Sequence, residues 1–197
     1  MKTQKTATIF WKLFKEQSKQ NPKEYPEEHM RHACILGLTA MDAALYTYWE
    51  SAVLPEWGEF MTLVNTLLED EEALSQLLLQ TKSYMKKSQL VATLRFLNNT
   101  GEAERFTPNF LDFSVYVLTR FGHLPWSHNL AQNLSALHKL RNAALHTGRE
   151  WNLDMAKDCV RKLENTSGSL LNLGNNFAEA FSEDSRDYKV IPLKKVA

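Results

Sequence analysis

The sequence predicts an all-α fold, and three observations carry that prediction. Seven Gly and six Pro in the chain leave little material for the turn every ten residues or so that many short strands need. Apolar residues recur three and four apart over long stretches, as in Leu130, Leu134, Leu137, Leu140 and Ala144, which is the spacing of one helix face. Helix-start chemistry recurs as well. Pro26-Glu27-Glu28 puts a donor-less residue and two acids at a positive helix end, and Thr107-Pro108 reads as a cap with a first-turn proline. A chain of 197 residues is long enough for one compact domain with a sizeable core.

Residues 5 to 20 form the first expected helix, with Ile9, Phe10, Leu13 and Phe14 on one side and Asn21-Pro22 beyond its end. The next, from Pro26 to about residue 53, reads as the most hydrophobic in the chain. Met30, Cys34, Leu38, Met41, Leu45 and Trp49 make one face, Ile35, Ala43 and Tyr46 extend it, and Asp42 is the only formal charge between Arg31 and Glu50. A helix apolar on most of its circumference belongs at the centre of its fold. Pro55 breaks the pattern. Leu63, Leu67, Leu68, Leu74, Leu77 and Leu78 mark one or two helices between 57 and 82, with the acidic run Glu69 to Glu72 on a solvated side.

A helix over about 83 to 98 is closed by Asn98-Asn99-Thr100-Gly101. Thr107-Pro108 opens a strongly apolar one through Phe110, Leu111, Val115, Leu118 and Phe121, ended by Gly122. Ser127 reads as the cap of the Leu130 helix and Gly148 as its end. Asn152 or Asp154 starts a last long helix through Met155, Cys159, Val160, Leu163 and Leu170, which Gly168 and Gly174 weaken. Residues 1–182 are expected to be a single domain. Residues 183–197 are polar with a short Val190-Ile191-Pro192-Leu193 patch, an arm or loosely docked tail.

Charge narrows the function classes. The chain carries 23 basic and 23 acidic residues, a formal net charge of zero. A protein that coats nucleic acid stably is basic as a rule, so any RNA contact is expected to be local or transient. Neutrality also favours self-association. Cys34 and Cys159 sit inside apolar helical patterns and read as buried free thiols rather than a disulfide. No apolar run approaches the roughly 18 residues that span a bilayer, and no apolar core follows the basic start Met1-Lys2-Thr3-Gln4-Lys5. The expectation is a cytoplasmic protein without membrane contact.

The segment with the most chemistry is Arg141-Asn142-Ala143-Ala144-Leu145-His146. On a regular helix Arg141 and His146 diverge by about 140°, whereas Asn142 and His146, four apart, share a face. His146 can move a proton to or from a 2′-hydroxyl or a leaving oxygen near neutral pH. Arg141 is permanently charged and suits the developing charge on a phosphate, and Asn142 can orient the imidazole. The arrangement requires neither metal nor cofactor. Spacing alone leaves the alternative open: a surface arginine, and a histidine favoured at the negative end of a helix dipole.

The stretch Leu137-His138-Lys139-Leu140-Arg141-Asn142-Ala143-Ala144-Leu145-His146-Thr147-Gly148 resembles the signature of the HEPN superfamily (higher eukaryotes and prokaryotes nucleotide-binding). Its members carry an Arg, four to six residues, then a His, often with Asn directly after the Arg. The resemblance covers about residues 130 to 171 and is nearest to stand-alone bacterial members such as the RiboL-PSP-like group. It implies a helical bundle that forms a homodimer, so that two Arg–His pairs face one another across a composite cleft. In many members it implies metal-independent endoribonuclease activity in toxin–antitoxin, phage-defence or RNA-processing systems, with RNA as a transient partner, no DNA, and a cognate antitoxin protein for a toxin. Other members only bind. The rival reading is therefore a non-catalytic module for RNA, a nucleotide or a protein partner, and a third is an unrelated helical scaffold.

Two residues are candidates to support the motif. Asp42 is either a carboxylate that anchors Arg141 across the bundle or a partly exposed acid on the one wet edge of its helix. Arg149, with Lys157, flanks the motif and suits a phosphate backbone, although ordinary solubilising charge is the simpler reading of both. Glu28, His29 and His32 have possible metal-ligand spacing, but no second cluster accompanies them and a solvated helix face is the simpler reading. His123 and His128 bracket a turn, His138 reads as surface or interface, and Lys86, Lys87, Arg95 and Arg105 as solubilising charge. Trp11, Phe14, Trp49, Trp57 and Trp126 read as core or dimer contacts rather than base-stacking platforms.

Overall fold

The computed structural model describes residues 2–20, 23–81, 84–99, 108–146, 151–174 and 177, with backbone only for 2–5. Among the described residues all regular structure is helical. In chain order come α1 (Lys2–Ser18), α2 (Pro26–Tyr48), α3 (Trp57–Glu69), α4 (Glu71–Thr81), α5 (Lys87–Asn99), α6 (Phe110–Phe121), α7 (Pro125–Leu145) and α8 (Leu153–Leu170). A π-helical turn, Trp49–Val53, and a 3-10 turn, Leu54–Glu56, follow α2; a second 3-10 turn, Leu171–Leu173, follows α8. The chain divides into two compact units, one of Met1–Thr47 with Lys139–Ala197 and one of Tyr48–His138. Arg105, Gly148, Arg149 and the 183–197 tail lie outside the described residues.

In the first unit the core face of α2 is Cys34, Leu38, Met41 and Leu45, all buried, as the spacing predicts. Gly37 explains how closely its neighbours approach. A methyl group there would lie 2.5 Å from Leu163 Cδ1 and 2.9 Å from Phe14 Cδ2, so only a bare backbone admits both side chains. The buried face of α1 is Ala7, Trp11 and Phe14, spaced four and three apart, with the Trp11 and Phe14 rings 4.9 Å apart. This corrects the expected α1 stripe: Ile9 is 58% exposed and Leu13 38%. Lys15 pairs with Glu164 of α8 at 2.7 Å. The Cys34 thiol donates to Ala156 O at 3.5 Å. Both cysteines are free and buried, and the hydrogen bond to Cys34, then burial, pushes the Cys159 thiol up.

The second unit is built around aromatic rings. α3 packs on α4, α5 and α6, and α5 on α6. α6 is buried at Phe110 and from Asp112 through Leu118; it and α3 are on average more apolar than α2, contrary to the ranking expected from sequence. Pro55 has no N–H and its ring crowds the carbonyls one turn earlier. The chain ahead of it widens into the π turn, where Leu54 N–H reaches back to Trp49 O. Buried Trp49 then stands edge-on to Trp57, Phe60, Phe113 and Tyr116, with ring centres 5.2 to 6.1 Å away.

The starts of α6 and α7 differ from the expected ones for local reasons, while α8 has one of its two expected caps. α6 is capped by Asn109, two residues beyond the expected Thr107, which lies outside the described residues: Asn109 Oδ1 accepts from Leu111 and Asp112 N–H, and Asp112 Oδ2 accepts from Asn109 N–H at 2.8 Å. That is a reciprocal capping box. α7 starts at Pro125, and Ser127 sits inside its first turn, donating to Leu124 O at 2.6 Å. α8 is capped by Asn152, whose side chain accepts from Met155 N–H, and it runs through Gly168 to Leu170.

Asp112 sets a pH dependence. Burial pushes its carboxyl from 3.8 up to about 6, against the pull of the Asn109 hydrogen bond. A folded value above the unfolded one means stability fully present below about pH 4 and lost as pH rises through about 6. Asp112→Asn keeps an oxygen for the cap and carries no charge. It is expected to exceed the parent in stability by about 2–3 kcal/mol at pH 8, falling to near zero at pH 4. Urea unfolding at the two pH values checks this, and an equal difference at both would mean that folding does not raise the Asp112 pKa.

Candidate functional site

The motif occupies the last turn and a half of α7. Leu140, Ala143 and Ala144 are buried, which fixes the rotation of the helix and turns Arg141 and Asn142 to its half-buried side. Helical geometry ends at Leu145, and His146 is the first residue beyond it. Its backbone N–H donates to Asn142 O at 3.1 Å, the i→i−4 bond that closes the turn. The His146 residue itself is exposed.

Arg141 is held from α2. Its Nε donates to Asp42 Oδ2 at 3.0 Å, with the side chains 40% and 36% exposed. The contact uses the Nε–H of the guanidinium, so the charge is anchored while staying accessible to solvent. Burial pushes the Asp42 carboxyl above its ordinary value, and the Arg141 charge and hydrogen bond pull it back. Of the alternatives that sequence leaves open for Asp42, the structure has the contact with Arg141.

A further residue reaches the motif, and sequence reasoning missed it. Arg31 of α2 donates from Nε to Ala144 O at 2.9 Å. This satisfies one of the carbonyls that a helix C-terminus leaves without an intrahelical partner, and it puts a cation at the negative end of the dipole. A signal was present. Arg31 and Asp42 stand eleven residues apart on one helix, hence within about 20° of each other around its axis.

The remaining candidates fall elsewhere. His29 is half-buried with Nε2 3.0 Å from Gln17 O, and Glu28 and His32 are exposed; among the described residues no group of three or more His, Cys, Asp or Glu is placed to hold a metal ion. Lys157 is exposed on α8. His128 stands edge-on to Tyr84, with ring centres 5.4 Å apart, and Lys86, Lys87 and Arg95 are exposed, all in the second unit. Among the described residues no helix is long and apolar enough to cross a membrane.

No protein-family model, curated protein or solved structure matches this chain.

Proposed function

We propose that the chain is a metal-independent endoribonuclease of the HEPN type, working as a homodimer on RNA, in a setting such as a toxin or a phage-defence component. The observation that carries this reading is the pairing of an anchored cation with an exposed imidazole at one helix end. Arg141 is fixed by Asp42, and His146 leaves the same helix five residues on. In the proposed reaction a 2′-hydroxyl attacks the adjacent phosphorus and the bond to the 5′-oxygen breaks. His146 takes the hydroxyl proton or gives one to the leaving oxygen, Arg141 stabilises the charge gathering on the non-bridging oxygens, and Asn142 orients the pair. One imidazole cannot do both transfers in a single concerted step. A second copy of the chain, bringing its own His146, fills the other role.

The test is cleavage of a labelled mixed-sequence RNA in excess chelator by the wild type and by His146→Ala. Cleavage by the wild type that the variant lacks supports the ribonuclease. Intact RNA in both, with RNA retained by the wild type in a binding assay, replaces it with a non-catalytic binding module.

A further inference from the structure

The Arg141–His146 segment is held at two points by one edge of α2. Asp42 takes its first residue, at 3.0 Å, and Arg31 takes the Ala144 carbonyl near its end, at 2.9 Å. Between those two side chains α2 carries no formal charge, so neither contact has a competing ionic partner on the intervening turns. Arg31 also lies 3.9 Å from Glu28 Oε1, beyond hydrogen-bond length, so the Ala144 carbonyl is the closer of the two contacts. The final turn of α7 consists of residues 142–146, closed by His146 N–H on Asn142 O. Helix ends fray when their last carbonyls lack partners. Here the gripped carbonyl lies inside the very turn that ends at His146.

We infer that Arg31 is a positioning residue: it keeps the last turn of α7 closed and so fixes the backbone from which the His146 imidazole projects. Its part in cleavage rests on the ribonuclease reading, while the hold on the turn does not. A group that transfers a proton must sit within hydrogen-bond reach of it, and a misplacement of about 1 Å costs about 100-fold in rate. Arg31 acts through His146 without touching RNA, which separates its signature from that of a phosphate-binding arginine.

The experiment compares Arg31→Met, which keeps the apolar stem and removes the donor, with Arg31→Lys, which keeps a cationic donor. Amide hydrogen exchange at His146 is read first, with the amides of α8 as the control for global unfolding. The expected result is a rise of about tenfold at His146 in Arg31→Met, little change in Arg31→Lys, and unchanged α8. In the cleavage assay kcat falls about 10- to 100-fold in Arg31→Met with KM within about twofold, and Arg31→Lys recovers most of it. Unchanged exchange at His146 overturns the inference whatever happens to activity. So does a raised KM with kcat intact, which makes Arg31 an RNA contact. If exchange rises at His146 while wild type leaves RNA whole, the hold on α7 stands and the ribonuclease reading alone falls.

Discussion

Arg141→Ala is expected to lower the rate of RNA cleavage about 100- to 1000-fold, the usual loss when one preorganised donor to a developing oxyanion is removed. The loss falls on kcat, because the charge it meets exists fully only in the transition state. Folding changes little: an ion pair with side chains 40% and 36% exposed contributes at most about 1 kcal/mol. Asp42→Asn tests the anchor separately. Its oxygen can still accept from Nε, but the charge is gone, so a smaller loss of about tenfold is expected. In Arg141→Ala the pull on the half-buried Asp42 carboxyl disappears, and its pKa rises further. The double variant decides how the two are connected. If Asp42 acts only through Arg141, Asp42→Asn costs nothing further in the Arg141→Ala background. A second tenfold loss there gives Asp42 a role of its own, and wild-type rates in Arg141→Ala remove the charge-stabilising group from the mechanism.

How far the sequence carried this site depends on which contacts are local. The buried stripes Cys34–Leu38–Met41–Leu45 and Leu130–Leu134–Leu137–Leu140 follow from spacing, because a helix repeats its face every three to four residues. The same stripe through Leu140 and Ala144 sets where Arg141 points. α1 misleads for the opposite reason: Ile9 and Leu13 are larger than Ala7, yet Ala7 is the one that packs, and apolar size alone does not reveal which face finds a partner. Helix starts went astray where a proline outweighed a better cap. Pro108 drew attention to Thr107, while Asn109 and Asp112 close the capping box one turn on. Asp42 was recognisable as a lone charge in a neutral stretch, but its partner was one of two options until α2 and α7 were placed together. Arg31 was half legible: its eleven-residue spacing from Asp42 puts the two on one edge of α2, but a side chain gripping a backbone carbonyl 113 residues away leaves no mark of its partner in either local pattern.

Trp49→Ala is expected to destabilise the protein by about 3–5 kcal/mol, the range for removing a large buried aromatic. Two features put it toward the upper end. Trp49 is fully buried, and its ring meets four others edge-on at 5.2 to 6.1 Å, an arrangement favourable beyond the area it buries. The site also relaxes poorly. Trp49 opens the π turn ahead of Pro55, so the backbone is constrained on one side, while Phe60, Phe113 and Tyr116 are each buried within their own helices and have little freedom to fill the space. Trp49→Phe separates volume from ring packing: it keeps an aromatic face and is expected to cost about half as much. Urea unfolding followed by circular dichroism measures both, since loss of the tryptophan compromises a fluorescence readout. A cost below about 1 kcal/mol for Trp49→Ala would mean that the surrounding rings collapse onto the vacancy and that the site relaxes after all.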